Sequence, residues 1–130
     1  MIVRQISVFL ENKQGSLSAL MGLLAENQVN LHALSIADSR DFGIIRMIAD
    51  NPTAAATILS GAGYICSVTE VIEFSVVDRP GGAAEVLTKL AGAGISIEYA
   101  YAFASPETGK SEIVVRVDDN EAAERVLSAE

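Results

Sequence analysis

An alternating pattern of apolar and polar residues opens the chain and is followed by a helical pattern. A strand is predicted over 5–10, with its apolar residues on one face: Ile6, Val8 and Leu10. A helix is predicted over 16–27, because its apolar residues recur at i, i+3, i+4 and i+7 and form one stripe: Leu17, Leu20, Met21 and Leu24. The two periods predict a strand that feeds directly into an amphipathic helix.

Two further strands, a short helix and a fourth strand complete this first pattern. The strands are predicted over 29–37 and 42–49, with a polar turn over 38–41 between them. Pro52 falls in the first turn of an Ala-rich helix that ends near 60–63, and residues 64–68 form the fourth strand. The predicted order is βαββαβ.

The same pattern returns 66 residues later. The shift places the apolar strand residues on Ile72, Phe74 and Val76, and the helical stripe on Ala83, Val86, Leu87 and Leu90. A longer hairpin over 106–110 changes the offset to 68, which matches Ala55, Ile58 and Leu59 with Ala123, Val126 and Leu127. Internal duplication of one supersecondary unit is therefore predicted.

The duplication predicts an α+β protein of two ferredoxin-like βαββαβ repeats, at 1–68 and 69–130, each an antiparallel sheet with helices on one face. No Pro/Gly/Ser linker separates the repeats near Thr69, so a rigid join is expected. The second repeat ends in its last helix and lacks its last strand. Either the chain was shortened, or another strand, including one from a second chain, completes that edge.

A glycine turn joins strand to helix in both repeats, over 11–17 and 77–83. Each turn has a polar residue, a cation, one more residue and then Gly15 or Gly81, where glycine would permit a close approach of backbone or ligand. The helix N-terminus behind it presents free N–H groups to an anion such as a carboxylate. Asn12 and Asp78 could accept from an ammonium. The alternative is a plain connection in which Ser16 acts as a helix cap.

Composition narrows the classes of function. Half of the 130 residues are apolar, which favours a packed core. A net charge of −8 argues against nucleic acid, and no apolar run is long enough to span a bilayer. The acidic surface serves solubility or docks on a basic partner. The single cysteine, Cys66, and the absence of a signal-peptide pattern predict a cytoplasmic protein.

The two turns and the strands after their helices resemble the ACT domain family of regulatory modules. Its pattern is Asp-x-Pro-Gly-x-Leu, followed by Val-Asn-Ile or similar at the second strand. Residues 78–83 read Asp-Arg-Pro-Gly-Gly-Ala, and residues 12–17 read Asn-Lys-Gln-Gly-Ser-Leu. Val-Asn-Leu stands at 29–31 and Ile-Ser-Ile at 95–97. Over its whole length the chain is similar to stand-alone double-ACT proteins.

The resemblance implies that a free amino acid binds where the turn of one module meets the second strand of its neighbour. The first set of implied residues is Asn12, Gln14, Gly15, Ser16 and Leu17 with Asn30; the second is Asp78, Pro80, Gly81, Gly82 and Ala83 with Ser96. Asn in place of Asp at position 12 weakens the expected ammonium recognition, so the two sites are expected to differ. A mixed site, in which one turn meets the strand of the other copy, is also predicted.

Three other features have alternative roles. His32 either has a structural or surface role or lines the pocket. A role in metal binding or catalysis is the least favoured alternative, because no other ligand residue stands at a suitable spacing. Cys66 is interpreted as a small buried hydrophobe. Three aromatic residues alternate on one strand and either pack against a helix or partner sheet or select the ligand: Tyr99, Tyr101 and Phe103.

Other activities of this fold class lack their residues. Acylphosphatases need an arginine in the first turn, which Arg79 could supply, and an asparagine partner that is not evident; metal carriers need Cys-x-x-Cys. No catalytic residues, metal or cofactor are predicted. The preferred hypothesis is a non-catalytic amino-acid sensor, a homodimer that is coupled to a protein partner, with neither nucleic acid nor membrane as a partner. The alternative is a protein–protein interaction module without a ligand.

Overall fold

The computed structural model describes residues 1–38 and 41–129 of the chain. Within them are six strands and four helices in the predicted order. Their bounds are β1 (Ile2–Glu11), α1 (Ser16–Glu26), β2 (Leu31–Asp38), β3 (Phe42–Ala49), α2 (Pro52–Gly61), β4 (Ile65–Val77), α3 (Gly82–Gly92), β5 (Ile97–Ala104), β6 (Lys110–Val117) and α4 (Asn120–Ser128). The α+β class and the antiparallel strand pairs are confirmed. The turn predicted over 38–41 includes residues 39 and 40, which lie outside the described residues.

The chain divides into two compact units, and β1 and β4 each contribute residues to both. The N-terminal unit is Arg4–Thr69. The C-terminal unit contains the rest of the described chain, 70–129, together with Met1–Val3. β4 is a 13-residue strand because the fourth strand of the first repeat continues without a break into the first strand of the second.

The N-terminal unit has the strand order β2-β3-β1-β4. Its core combines the apolar face of β1 and β3 with the buried stripes of α1 and α2, so both helices lie on the same face of the sheet. The residues of this core are Ile6, Val8, Leu20, Leu24, Ile45, Met47, Ala49, Ala55 and Leu59. Most of the predicted alternation and helical stripe therefore lies in this core or packs against it, but Leu17, the first residue of the stripe, is exposed.

The C-terminal unit repeats this arrangement with β4, β6 and β5 as neighbouring strands. Its core residues are Ile72, Val76, Leu90, Ile95, Ile113, Val115, Val117 and Ala123. Both units share a bulge one residue into the second strand, at His32 and at Glu98. Such a repeated irregularity is stronger evidence for duplication than apolar periodicity, because a bulge is a specific local feature.

The chain's own first residues pair with β4 in the C-terminal unit. Met1 and Glu73 exchange both backbone hydrogen bonds, at 2.9 and 2.8 Å, as an antiparallel pair does. Ile2 packs against the core of this unit. In the described residues the second repeat ends with α4, and residues 1–3 lie at the edge that the sequence left open.

The four helices begin in two different ways. Helices α2 and α4 begin at side-chain caps: Asn51 accepts from the N–H of Ala54 at 3.1 Å, and Asp119 accepts from the N–H of Ala122 at 3.0 Å. Helix α1 follows Gly15 and helix α3 follows Gly81. Neither glycine position has a side-chain cap hydrogen bond. No helix in the described part of the chain is long and apolar enough to cross a membrane.

Candidate functional site

The two glycine turns have the same backbone hydrogen bonds. In each turn, the backbone N–H of the polar residue donates to a carbonyl in the hairpin before the third strand of that repeat. The backbone N–H of the basic residue donates to the carbonyl two residues before it, and the N–H of the first helical residue donates to the carbonyl of the basic residue. The three pairs are Asn12 to Asp41 and Asp78 to Gly109, both 2.8 Å; Lys13 to Glu11 and Arg79 to Val77, both 3.0 Å; and Ser16 to Lys13 at 3.2 Å and Gly82 to Arg79 at 3.0 Å. The turns are therefore equivalent in backbone structure.

Glycine is required in these turns for two different reasons. Gly15 and Gly81 have φ of 85° and 84°, in the left-handed region, and a Cβ on either would meet no atom within 4 Å. Gly82 instead lies against the strand end, where a Cβ would stand 2.1 Å from the carbonyl oxygen of Val77. A close approach of backbone to backbone was expected at Gly15 and Gly81. In the second turn it occurs instead at Gly82.

The N-terminal turn borders a cavity of about 580 Å³. Three predicted site residues line it: Gln14, Gly15 and Ser16. The end of β1, the start of β3 and the segment before β4 supply other walls, among them Phe9, Glu11, Phe42, Tyr64 and Ile65. This volume is in the range of small-molecule sites, and Gly15 and Ser16 at the uncapped start of α1 are among its lining residues.

Asn12 and Leu17 line a second, smaller cavity of about 120 Å³ on the same turn, together with Ser16 and Ile36. Ser16 borders both cavities, since it is the first residue of the helix. The five predicted residues of the N-terminal turn are therefore brought together, but they are divided between two spaces.

Asn30 lies at the other end of its own unit. Its carbonyl accepts from the N–H of Asp50 at 3.0 Å, whereas the turn is bonded to Asp41. The eight-residue strand β3 runs from one to the other, a separation of roughly 25–30 Å at ~3.3 Å per residue. Within the N-terminal unit, the turn and Asn30 therefore do not lie together, although Ile36 at the far end of β2 does border the turn. A mixed site with the other copy stays a prediction.

The C-terminal turn carries the predicted residues Asp78, Pro80, Gly81, Gly82 and Ala83, next to the start of α3. Arg79 forms an ion pair of 2.9 Å with Glu85, which stands in the first turn of that helix. Ser96 immediately precedes β5, at the end of the sheet opposite to the turn, because Ile97 pairs with Val117 and Val77 with Lys110.

Lys13 and Ala19 occupy the positions of Arg79 and Glu85 in the N-terminal unit. Lys13 is paired with Glu11 at 3.2 Å. Ala19 lines the 580 Å³ cavity, so the side chain that corresponds to the carboxylate of Glu85 is a methyl group. The two turns therefore share a backbone and differ in the charge that stands over the helix N-terminus.

The other singled-out residues have ordinary surroundings. His32 is exposed on β2, and Cys66 is partly buried against the N-terminal core, with its Sγ 3.3 Å from the Oγ of Ser60. The aromatic residues of β5 are half-buried on the face opposite to the core, since Tyr101 pairs with Val114 and Ala100 pairs with the core residue Val115. Across the described residues, no group of three or more His, Cys, Asp or Glu side chains could hold a metal ion.

Phe9, Phe42 and Tyr64 are cavity residues that the sequence analysis did not identify. Phe9 and Phe42 form a tilted aromatic pair with ring centroids 5.8 Å apart. One signal was present in the sequence: Phe9 interrupts the alternation of β1, since it falls on the face opposite to Ile6, Val8 and Leu10. A large aromatic side chain on the other face of a strand indicates a contact outside the core.

Solved structures share this fold. A protein from Bacteroides thetaiotaomicron, BT0572, is 37% identical with a TM-score of 0.91, over 98% of this chain and 87% of that one. The ligand-free regulatory subunit of aspartate kinase from Thermus thermophilus is 15% identical with a TM-score of 0.71, over 98% and 95% of the two chains. A putative C-terminal regulatory domain of aspartate kinase from Porphyromonas gingivalis W83 is 16% identical with a TM-score of 0.58, over 98% and 92%.

A search of the curated proteins found no match. The family model described as an ACT domain pair matches residues 1–130, the whole chain. This confirms the resemblance on which the sequence analysis drew, including the tandem arrangement of two modules. The chain belongs to the ACT domain pair family.

Proposed function

We propose that this protein is a non-catalytic regulatory module that binds a free amino acid at its glycine turns and passes the binding state to a protein partner. The observation that carries the proposal is the cavity of about 580 Å³ at the Gly15 turn, which Gly15 and Ser16 at the uncapped start of α1 line. Backbone N–H groups at a helix start bind a carboxylate without a dedicated cation. The fold shared with regulatory subunits of aspartate kinase supports a regulatory rather than a catalytic role.

Coupling to a partner follows if the ligand binds one arrangement of the protein more tightly than another. The module acts as a homodimer, and β2, the outer strand of the N-terminal unit, offers an edge with the exposed side chains Leu34 and Ile36. The single cysteine supports a reducing, cytoplasmic setting.

A ligand screen tests the proposal directly. The thermal midpoint of the full chain is measured with each of the twenty amino acids at millimolar concentration, and binding is then quantified by calorimetry. At a ligand concentration 100 times Kd, binding adds about 2.7 kcal/mol to the stability of the folded state. An upward shift with a small set of amino acids is expected. No shift and no heat with any of them would overturn the proposal.

The alternative is a protein–protein interaction module without a ligand, and one observation favours it. Ile65 and Val68 at the start of β4 are exposed at 75% and 43%, which is unusual for apolar strand residues. The alternative predicts that a partner protein co-purifies with the chain and that Ile65→Ser abolishes the co-purification. Added amino acids should not change the amount of partner that co-purifies with either form.

A further inference from the structure

We propose that the cavity at the N-terminal turn selects an amino acid with an aromatic side chain, held as a zwitterion. This inference rests on the proposed function and adds the ligand class and the choice of turn. It comes from two features of this cavity: the opposite charges of Glu11 and Lys13 on its wall, and three aromatic residues among its lining residues.

The opposite charges are Glu11 and Lys13. Their carboxylate and ammonium stand 3.2 Å apart, and both residues line the cavity. The pair is largely exposed, so it is weak and rearranges at little cost. A zwitterion can then place its ammonium on Glu11 and its carboxylate on Lys13, next to Ser16 at the start of α1. The ligand's ammonium then replaces Lys13 as the partner of Glu11, and its carboxylate replaces Glu11 as the partner of Lys13.

The C-terminal turn has no carboxylate at the position of Glu11, and its basic residue is paired with a different carboxylate. Val77 stands where Glu11 stands, and Arg79 is already paired with Glu85 across the start of α3. A carboxylate at position 85 also repels a ligand carboxylate from the helix N-terminus. The charge pattern therefore favours the N-terminal turn as the amino-acid site.

Aromatic selectivity follows from the rings that face the cavity. Phe9 and Phe42 form the tilted pair, and both are about half exposed although they are large apolar side chains. Tyr64 adds a third ring to the wall. Aromatic rings prefer tilted and offset neighbours, so a ligand ring packs on the Phe9–Phe42 pair and covers part of its exposed surface. The matching positions in the C-terminal unit are Ser75 and Lys110, which have no ring.

Calorimetry on the full chain tests the ligand class. We expect L-phenylalanine and L-tyrosine to bind at least about ten-fold more tightly than L-alanine, with L-leucine between them, because a buried ring removes more apolar surface from water. Phenylalaninamide, which lacks the carboxylate, and N-acetylphenylalanine, which lacks the ammonium, should each bind about ten-fold or more weakly than phenylalanine.

Variants on the cavity wall test the assignment of groups. Phe42→Leu should weaken phenylalanine about 3- to 10-fold and leave leucine within about two-fold. Glu11→Gln should weaken phenylalanine but not N-acetylphenylalanine, because only the former presents an ammonium. Ala19→Glu introduces the carboxylate that the C-terminal unit has at Glu85 and should reduce phenylalanine affinity about ten-fold or more.

The matched controls are Ser75→Ala and Glu85→Ala, at the corresponding positions of the C-terminal unit. Neither should change phenylalanine affinity. Equal or tighter binding of alanine or lysine would overturn the aromatic class while leaving amino-acid binding intact. Loss of phenylalanine binding in Glu85→Ala but not in Ala19→Glu would overturn the choice of turn. Absence of binding by every amino acid would overturn both proposals. Circular dichroism of each variant separates loss of binding from loss of fold.

Discussion

The two glycine turns have one backbone and two different surroundings. Their hydrogen bonds correspond bond for bond, and Gly15 and Gly81 have the same φ to within one degree. Around the first turn are an open cavity and a pair of rings; around the second are an ion pair and a closely packed Gly82. Duplication has therefore preserved the backbone of the turn, while the side chains around it differ between the two units.

The largest effect should come from the cores, where the comparison predicts equality. Leu24 and Leu90 are equivalent helix residues and are almost completely buried. Leu24→Ala and Leu90→Ala should each lower the free energy of unfolding by about 3–4 kcal/mol, through lost burial and a cavity. Urea unfolding followed by circular dichroism measures this. A cost below about 1 kcal/mol for either variant would show that one of the two cores is not packed as described.

Gly82→Ser should break the equivalence of the turns. It gives the C-terminal turn the residue that the N-terminal turn has at Ser16, but its Cβ would stand 2.1 Å from the carbonyl oxygen of Val77. A backbone shift is required, and we expect a loss of about 2–3 kcal/mol in unfolding experiments. The reciprocal Ser16→Gly, as the matched control, should cost less than about 1 kcal/mol. Equal costs for the two would contradict the difference in packing.

Gly15→Ala and Gly81→Ala should behave alike. A Cβ meets open space at both positions, so the cost is only the strain of a positive φ, about 1–2 kcal/mol each. Thermal and urea unfolding of the two variants, measured side by side, checks this. A much larger loss at one of the two glycines would mean that its surroundings are crowded, which the geometry contradicts.

The smallest effect should come from Glu85→Ala, which copies Ala19 into the C-terminal turn. The Arg79–Glu85 pair is more than half exposed, so its removal should change the free energy of unfolding by less than about 0.5 kcal/mol. The measurement is again urea unfolding, with Glu107→Ala as a control that removes another exposed ion pair, the one with Lys110. A loss above about 1 kcal/mol would show that the pair holds the turn together.

The fold could be predicted from the sequence because its information is local and repeated. The alternation through Ile6 and Val8 and the stripe through Leu20 and Leu24 specify which faces are buried, and all four residues lie in the N-terminal core. The partner of an edge strand is not local information. Residues 1–3 fell outside the predicted first strand, and nothing in their own pattern indicates that Met1 pairs with Glu73.

The candidate site was predictable only as far as its motif extends. Gly15 and Ser16 were identified because the turn pattern contains them, and both line the larger cavity. Phe42 and Tyr64 come from segments distant in sequence, so their contribution depends on the tertiary structure. The pairing of the turn with Asn30 came from the resemblance alone, and within one unit the strand β3 separates the two.

The first three residues have a consequence for the order in which the protein acquires its structure. They precede the residues of the N-terminal unit, yet the backbone partner of Met1 is 72 residues away in the chain. Closing a loop of that length costs about 4 kcal/mol in chain entropy, so this contact is expected to form late in folding. Residues 1–3 thus complete a unit whose other residues begin at Glu70, and a cut between the two repeats would separate them from it.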